Sequence, residues 1–108
     1  MEIIRGTTPT LQYTFKDIEV TDISEAYLVL KQPGDISIEK TLSDGVIVPA
    51  EENAQGYLSF TLTQEDTLSL SKDREAVAVL DWKLQDGTRG RSVKAYFKIG
   101  EPGKDEVI

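Results

Sequence analysis

Neither cysteine nor histidine occurs among the 108 residues. Their absence excludes disulfides, thiol nucleophiles, zinc or iron–sulfur ligation by the usual side chains, and every general-base scheme that needs imidazole. No apolar run exceeds five residues, Ala76 to Leu80, which is far too short to cross a bilayer as a helix. The start, Met1-Glu2-Ile3-Ile4-Arg5, lacks both the basic segment and the apolar stretch of about 7–15 residues that mark a secretory signal. Positive charge is scarce as well. Twelve Lys and Arg stand against 19 Asp and Glu, a net charge of −7, which argues against duplex binding, whose affinity rests on neutralised phosphates.

What is present points to strands. Valine, isoleucine and threonine supply 27 residues, a quarter of the chain, and these types favour extended backbone. The length suits one domain with its own core. Period-two alternation dominates: Leu11, Tyr13 and Phe15 share one face, Leu28 and Leu30 oppose Tyr27, Val29 and Lys31, and Leu58, Phe60 and Leu62 point inward from Tyr57–Thr63. Pro33-Gly34-Asp35 is a turn. A weaker strand runs from Ile36 through Ile38 and Lys40 to Asp44, and Val46-Ile47-Val48 is a short apolar run. Thr63-Gln64-Glu65-Asp66 places a capping hydroxyl before acidic residues, so one or two helical turns start there. Thr21–Glu25 is a second candidate for a brief helical turn.

Asp86-Gly87 is the pair favoured in a two-residue type I′ turn. Counting outward from it sets Leu80 against Val93, Ala78 against Ala95 and Ala76 against Phe97 on one face, with Val79 against Lys94 and Val77 against Tyr96 on the other. Trp82 then lies inward opposite Arg91, as a core aromatic capped by the stacked guanidinium or, less favoured, as a ligand-stacking platform. About seven strands at spacings of roughly 10–15 residues suggest an all-β, immunoglobulin-like antiparallel sandwich with one short helical turn, a small barrel being the alternative. The sandwich is assigned to residues 1–99, with Phe60, Leu80 and Phe97 in its core, and residues 100–108 to a flexible acidic tail.

The carboxylate pairs Glu51-Glu52, Glu65-Asp66, Asp73 with Glu75, and Asp105-Glu106 fall in loops or tail without the apolar surround that raises a catalytic pKa. Asp17, Glu19 and Asp22 share a loop but lack the glycine and terminal glutamate of an EF-hand. Arg5-Gly6-Thr7-Thr8 lacks the lysine and repeated glycines of a phosphate cradle. No enzyme, cofactor or metal is expected. Arg89, Arg91 and Lys94 with Tyr96 tint the last hairpin basic, and the apolar Ile38 and Val46 sit on segments that suit sheet edges. These six are the candidate partner contacts.

Arg5-Gly6-Thr7-Thr8-Pro9-Thr10-Leu11, Asp22-Ile23-Ser24-Glu25-Ala26, Thr61-Leu62-Thr63-Gln64-Glu65-Asp66-Thr67 and Leu84-Gln85-Asp86-Gly87-Thr88 follow one another in an order that resembles the small β-sandwich proteins of prophages in Gram-positive bacteria. The chain is similar, over about residues 4–99, to the N-terminal immunoglobulin-like domain of phage baseplate upper proteins, without a following stalk or receptor-binding segment. The resemblance implies a non-catalytic virion or tail-assembly module whose partners are other phage structural proteins or a second copy of itself, with no nucleic acid and no membrane. It also implies a place in the host cytoplasm during assembly or in the virion. A carbohydrate-binding sandwich using exposed aromatics is the alternative.

Overall fold

A computed structural model describes residues 2–72 and 74–101. In order, the described residues form β1 (Glu2–Ile4), β2 (Thr10–Thr14), a 3-10 turn at Val20–Asp22, β3 (Ile23–Gln32), β4 (Ile36–Thr41), a second 3-10 turn at Leu42–Asp44, β5 (Gly45–Val48), β6 (Tyr57–Thr61), α1 (Gln64–Leu68), β7 (Ala76–Leu84), β8 (Arg89–Arg91) and β9 (Ala95–Gly100).

Alternation decides which side chains are buried. Leu11, Leu58 and Phe60 from one sheet meet Leu28, Leu30, Leu80 and Phe97 from the other in a single apolar cluster. One sheet has the order β1-β9-β7-β3-β4, with β8 beside β7, and the second has β2-β6-β5. That division is the immunoglobulin-like one, in which the strands of the last hairpin join the third strand and its extension while the second strand joins the two before the crossing. Every pair is antiparallel except β1 with β9, which run parallel.

The helical segment at Thr63 is present and short. The Thr63 hydroxyl accepts from the Asp66 amide (3.0 Å) and the Asp66 carboxylate accepts from the Thr63 amide (2.9 Å), a reciprocal cap on the first turn. Thr67, fully buried, accepts from the Gly6 amide (2.9 Å) and donates to the Thr7 carbonyl (2.8 Å), so α1 holds the segment that follows β1. Gln32 is buried at the end of β3. Its amide nitrogen donates to the Ser71 and Arg74 carbonyls (2.8 and 3.0 Å) and its oxygen accepts from the Ser71 amide (2.7 Å). A buried amide so satisfied costs little and ties the crossing to the sheet.

Several expectations need correction. The candidate turn at Thr21–Glu25 is helical only through Asp22, because β3 begins at Ile23 to pair with Leu84. β4 ends at Thr41 rather than Asp44, since the Asp44 carboxylate accepts from the Thr41 amide (2.8 Å) and winds Leu42–Asp44 into a 3-10 turn. Gly100 belongs to β9, its carbonyl accepting from the Arg5 amide (3.1 Å), and Glu101 pairs with Lys72 (2.5 Å). The remainder of the expected tail, residues 102–108, lies outside the described residues.

The last hairpin differs in an instructive way. Leu84 and Thr88 close a three-residue loop, the Leu84 amide donating to the Thr88 carbonyl (2.8 Å) and the Gly87 amide to the Leu84 carbonyl (3.0 Å). Gly87 takes φ 93, the left-handed position at which a three-residue loop needs glycine. The strand near the turn is thereby shifted by one, so that Asp81 meets Arg91, Trp82 meets Gly90 and Lys83 meets Arg89. An unpaired residue within Ser92–Lys94 restores the count, and Ala76 meets Phe97, Val77 meets Tyr96 and Ala78 meets Ala95 as expected. The pairs Leu80–Val93 and Val79–Lys94 do not form. The amide and hydroxyl of Ser92 bond to the carbonyl and amide of Leu80 instead (2.8 and 2.9 Å).

A candidate interaction face

The outward side of the larger sheet is built from alternate residues of β3, β4, β7 and β9 whose neighbours fill the core. Pairing registers arrange them in rows. Tyr96, Val77, Lys31 and Ser37 form one row, with Val79, Val29 and Glu39 in the next. Arg91, Asp81, Tyr27 and Thr41 form the third, and Arg89, Lys83 and Glu25 the fourth. Lys94, in the bulge and outside the ladder, lines with Val29, Val77 and Val79 a groove of about 380 Å³ beside the second row. Tyr27 and Tyr96 are 49% and 52% exposed, so the three half-buried valines and two tyrosines make a continuous apolar stripe.

Charge is unevenly spread over this face. Arg89, Arg91 and Lys94 stand on the β8–β9 side and Glu39 and Glu25 toward β4 and β3, with Lys83 and Asp81 on β7 and Lys31 on β3 between them. Arg91 grips Asp81 with two bonds, Nε to Oδ1 at 2.5 Å and Nη2 to Oδ2 at 3.2 Å. The guanidinium holds the Asp81 carboxyl below the usual carboxylate range, so this group stays ionised at neutral pH.

Four of the six expected contact residues, Arg89, Arg91, Lys94 and Tyr96, thus share one face. Ile38 does not. It is 6% exposed and points into the core opposite Leu30, because β4 pairs with β3 in the register that turns Ile36, Ile38 and Lys40 inward. Val46 is 59% exposed but lies on β5, the edge of the smaller sheet, remote in topology from the other four. Val29, Val77, Val79, Tyr27 and Glu39 join the face. The outward phase of β3 and β7 was visible as alternation, but only the strand order brings them together.

Trp82 and Asp66 also depart from expectation. No guanidinium stacks on the indole; it packs edge-on against Phe15, with centroids 5.2 Å apart and planes at 86°, and covers the bare backbone of Gly90. Asp66 is not a solvated loop carboxylate. Burial pushes its carboxyl up, but the Lys40 ammonium at 2.8 Å and the Thr63 amide and hydroxyl outweigh that and leave it below the usual range. Glu51 and Glu52 are exposed and line, with Asp17 and Glu19, a second groove of about 580 Å³. Among the described residues no three acidic groups come together as a metal cage, and no helix is long and apolar enough to cross a membrane. Asp73 and the pair Asp105-Glu106 lie outside the described residues.

No protein-family model matches the chain and no curated protein matches it. Among solved structures it is similar to murine CRIg, at 8% sequence identity and a TM-score of 0.41, with 94% of this chain and 91% of that one covered. The immunoglobulin-like architecture stands on the strand order itself.

Proposed function

We propose that this chain is a non-catalytic protein-interaction module of a phage or prophage assembly, acting in a tail, baseplate or virion through the outer face of its larger sheet. The supporting observation is the apolar stripe Tyr96–Val77–Val79–Val29–Tyr27 set between charged margins on an acidic molecule. Burying such a stripe drives association, and the charged margins select the partner and fix its register. Trp82 is packed on Phe15 and Gly90, so the alternative, a carbohydrate-binding sandwich, would have to stack its sugar on the exposed Tyr27 and Tyr96 of the same face.

The test is calorimetric titration with purified phage tail and baseplate proteins. Val79→Lys, which places a charge in the stripe without touching the core, is the control. Binding that Val79→Lys abolishes supports the reading. Binding that ignores the substitution overturns this face, and binding to none of those proteins overturns the phage assignment.

A further inference from the structure

We propose that the same face receives a second copy of this chain, the two larger sheets packed face to face about a two-fold axis parallel to their strands. The inference rests on reading that face as an interaction surface and adds the occupant. A two-fold contact brings one patch against itself, so the patch must be complementary to its own image. Only some axes allow that here.

An axis along the strands, between β3 and β7, keeps each row in place and exchanges its two ends. Lys94, beside the second row, then comes near the partner's Glu39, Val79 meets the partner's Val29, Lys83 meets the partner's Glu25, and Val77 takes the aliphatic stem of the partner's Lys31. Asp81 faces the phenol of the partner's Tyr27. No like charges are opposed in any of the four rows. An axis across the strands does the opposite, because it lays the β8–β9 margin on itself and sets Lys94 among the partner's Arg89 and Arg91. Repulsion of that kind counts against the alternative as strongly as attraction favours the first.

The division of charge across the sheet is what makes the face fit a copy of itself. A uniformly basic face would need a different, acidic partner. Aligned packing of two sheet faces is also the ordinary way in which sheets bury apolar stripes. Four strands about 4.8 Å apart and four rows along them cover about 400 Å² on each partner, roughly 800 Å² in all, less than the ~1,200–2,000 Å² of a stable specific interface. The dimer is therefore weak and reversible.

Sedimentation analysis of the full chain over a range of concentrations and ionic strengths tests this. A monomer–dimer equilibrium that weakens with salt is expected. Lys94→Glu and Glu39→Lys, both at exposed positions, should each raise the dimer dissociation constant about tenfold, and the double exchange should recover most of the loss. Unchanged thermal melts show that the variants remain folded. A chain monomeric at all concentrations, a dimer indifferent to the single changes, or a double variant no better than the singles would each overturn the proposal. A monomer that still binds a tail protein through Val79 would leave the functional reading intact, whereas a dimer that binds no phage protein would do the reverse.

Discussion

Lys40 and Asp66 illustrate how one residue can serve two elements. Lys40 projects from the inward face of β4, and its ammonium reaches α1 at 2.8 Å from a carboxylate that also caps the helix. With both side chains about four-fifths buried, at 18% and 21% exposure, removing the partner strands a charge, and Lys40→Met should cost about 1–2 kcal/mol in denaturant melts. The pH dependence has a definite sign. The folded carboxyl lies below its unfolded value, so its contribution is complete above about pH 5 and fades as pH falls through the folded value, below about 3.9. Asp66→Asn should flatten the acid limb of a stability–pH curve; an unchanged limb would assign the acid loss elsewhere. Gly90 makes a second residue-scale case, because a Cβ built there would stand 2.5 Å from the Trp82 ring. Gly90→Ala should displace the indole, shift its emission to the red and cost about 1–3 kcal/mol.

At the scale of elements, alternation made β2, β3, β6 and β7 legible from sequence because each has one wet face and one dry face, as in Leu58 and Phe60 against Tyr57 and Ser59. Residues that bond their own backbone were less legible. Asp44 and Thr41 close a 3-10 turn within an apparently alternating stretch, and the loop at Gln85–Gly87 takes one residue more than its Asp-Gly pair implies. The loop shift and the bulge cancel, so the far pairs Ala76–Phe97 and Val77–Tyr96 agreed with a count that began from the wrong turn. Gly87→Val should destabilise by more than 1 kcal/mol, since φ 93 strains a β-branched side chain, while Gly87→Asn should be milder. Deleting Val93, which is 87% exposed in the bulge, brings the near and far pairs into one register. Nuclear Overhauser contacts between Val77 and Tyr96 should survive that deletion, and their loss would show that the bulge sets the pairing.

Over the whole molecule, the core was foreseen better than the surface. Phe60, Leu80 and Phe97 are buried as their phase demanded, and Phe97→Ala should cost about 3–5 kcal/mol, a large part of the stability of a domain of this size. The candidate face was half legible: its cations stand in one hairpin, but Glu39 and Tyr27 join them only once β3 and β4 take their places in the sheet. Ile3, on the edge strand β1, is 2% exposed and belongs to the core. That placement has a mechanical consequence. β1 runs alongside β9 in the same direction, so tension applied through Glu2 and Gly100 slides one strand along the other. All their hydrogen bonds are then loaded together instead of unzipping one by one, and the Gly6–Thr67 bond (2.9 Å) bears load only after they yield. A sandwich pulled in this direction resists as a clamp. Single-molecule extension through those two residues should give one sharp rupture, at a higher force than pulling across β3 and β4, whose hairpin opens pair by pair.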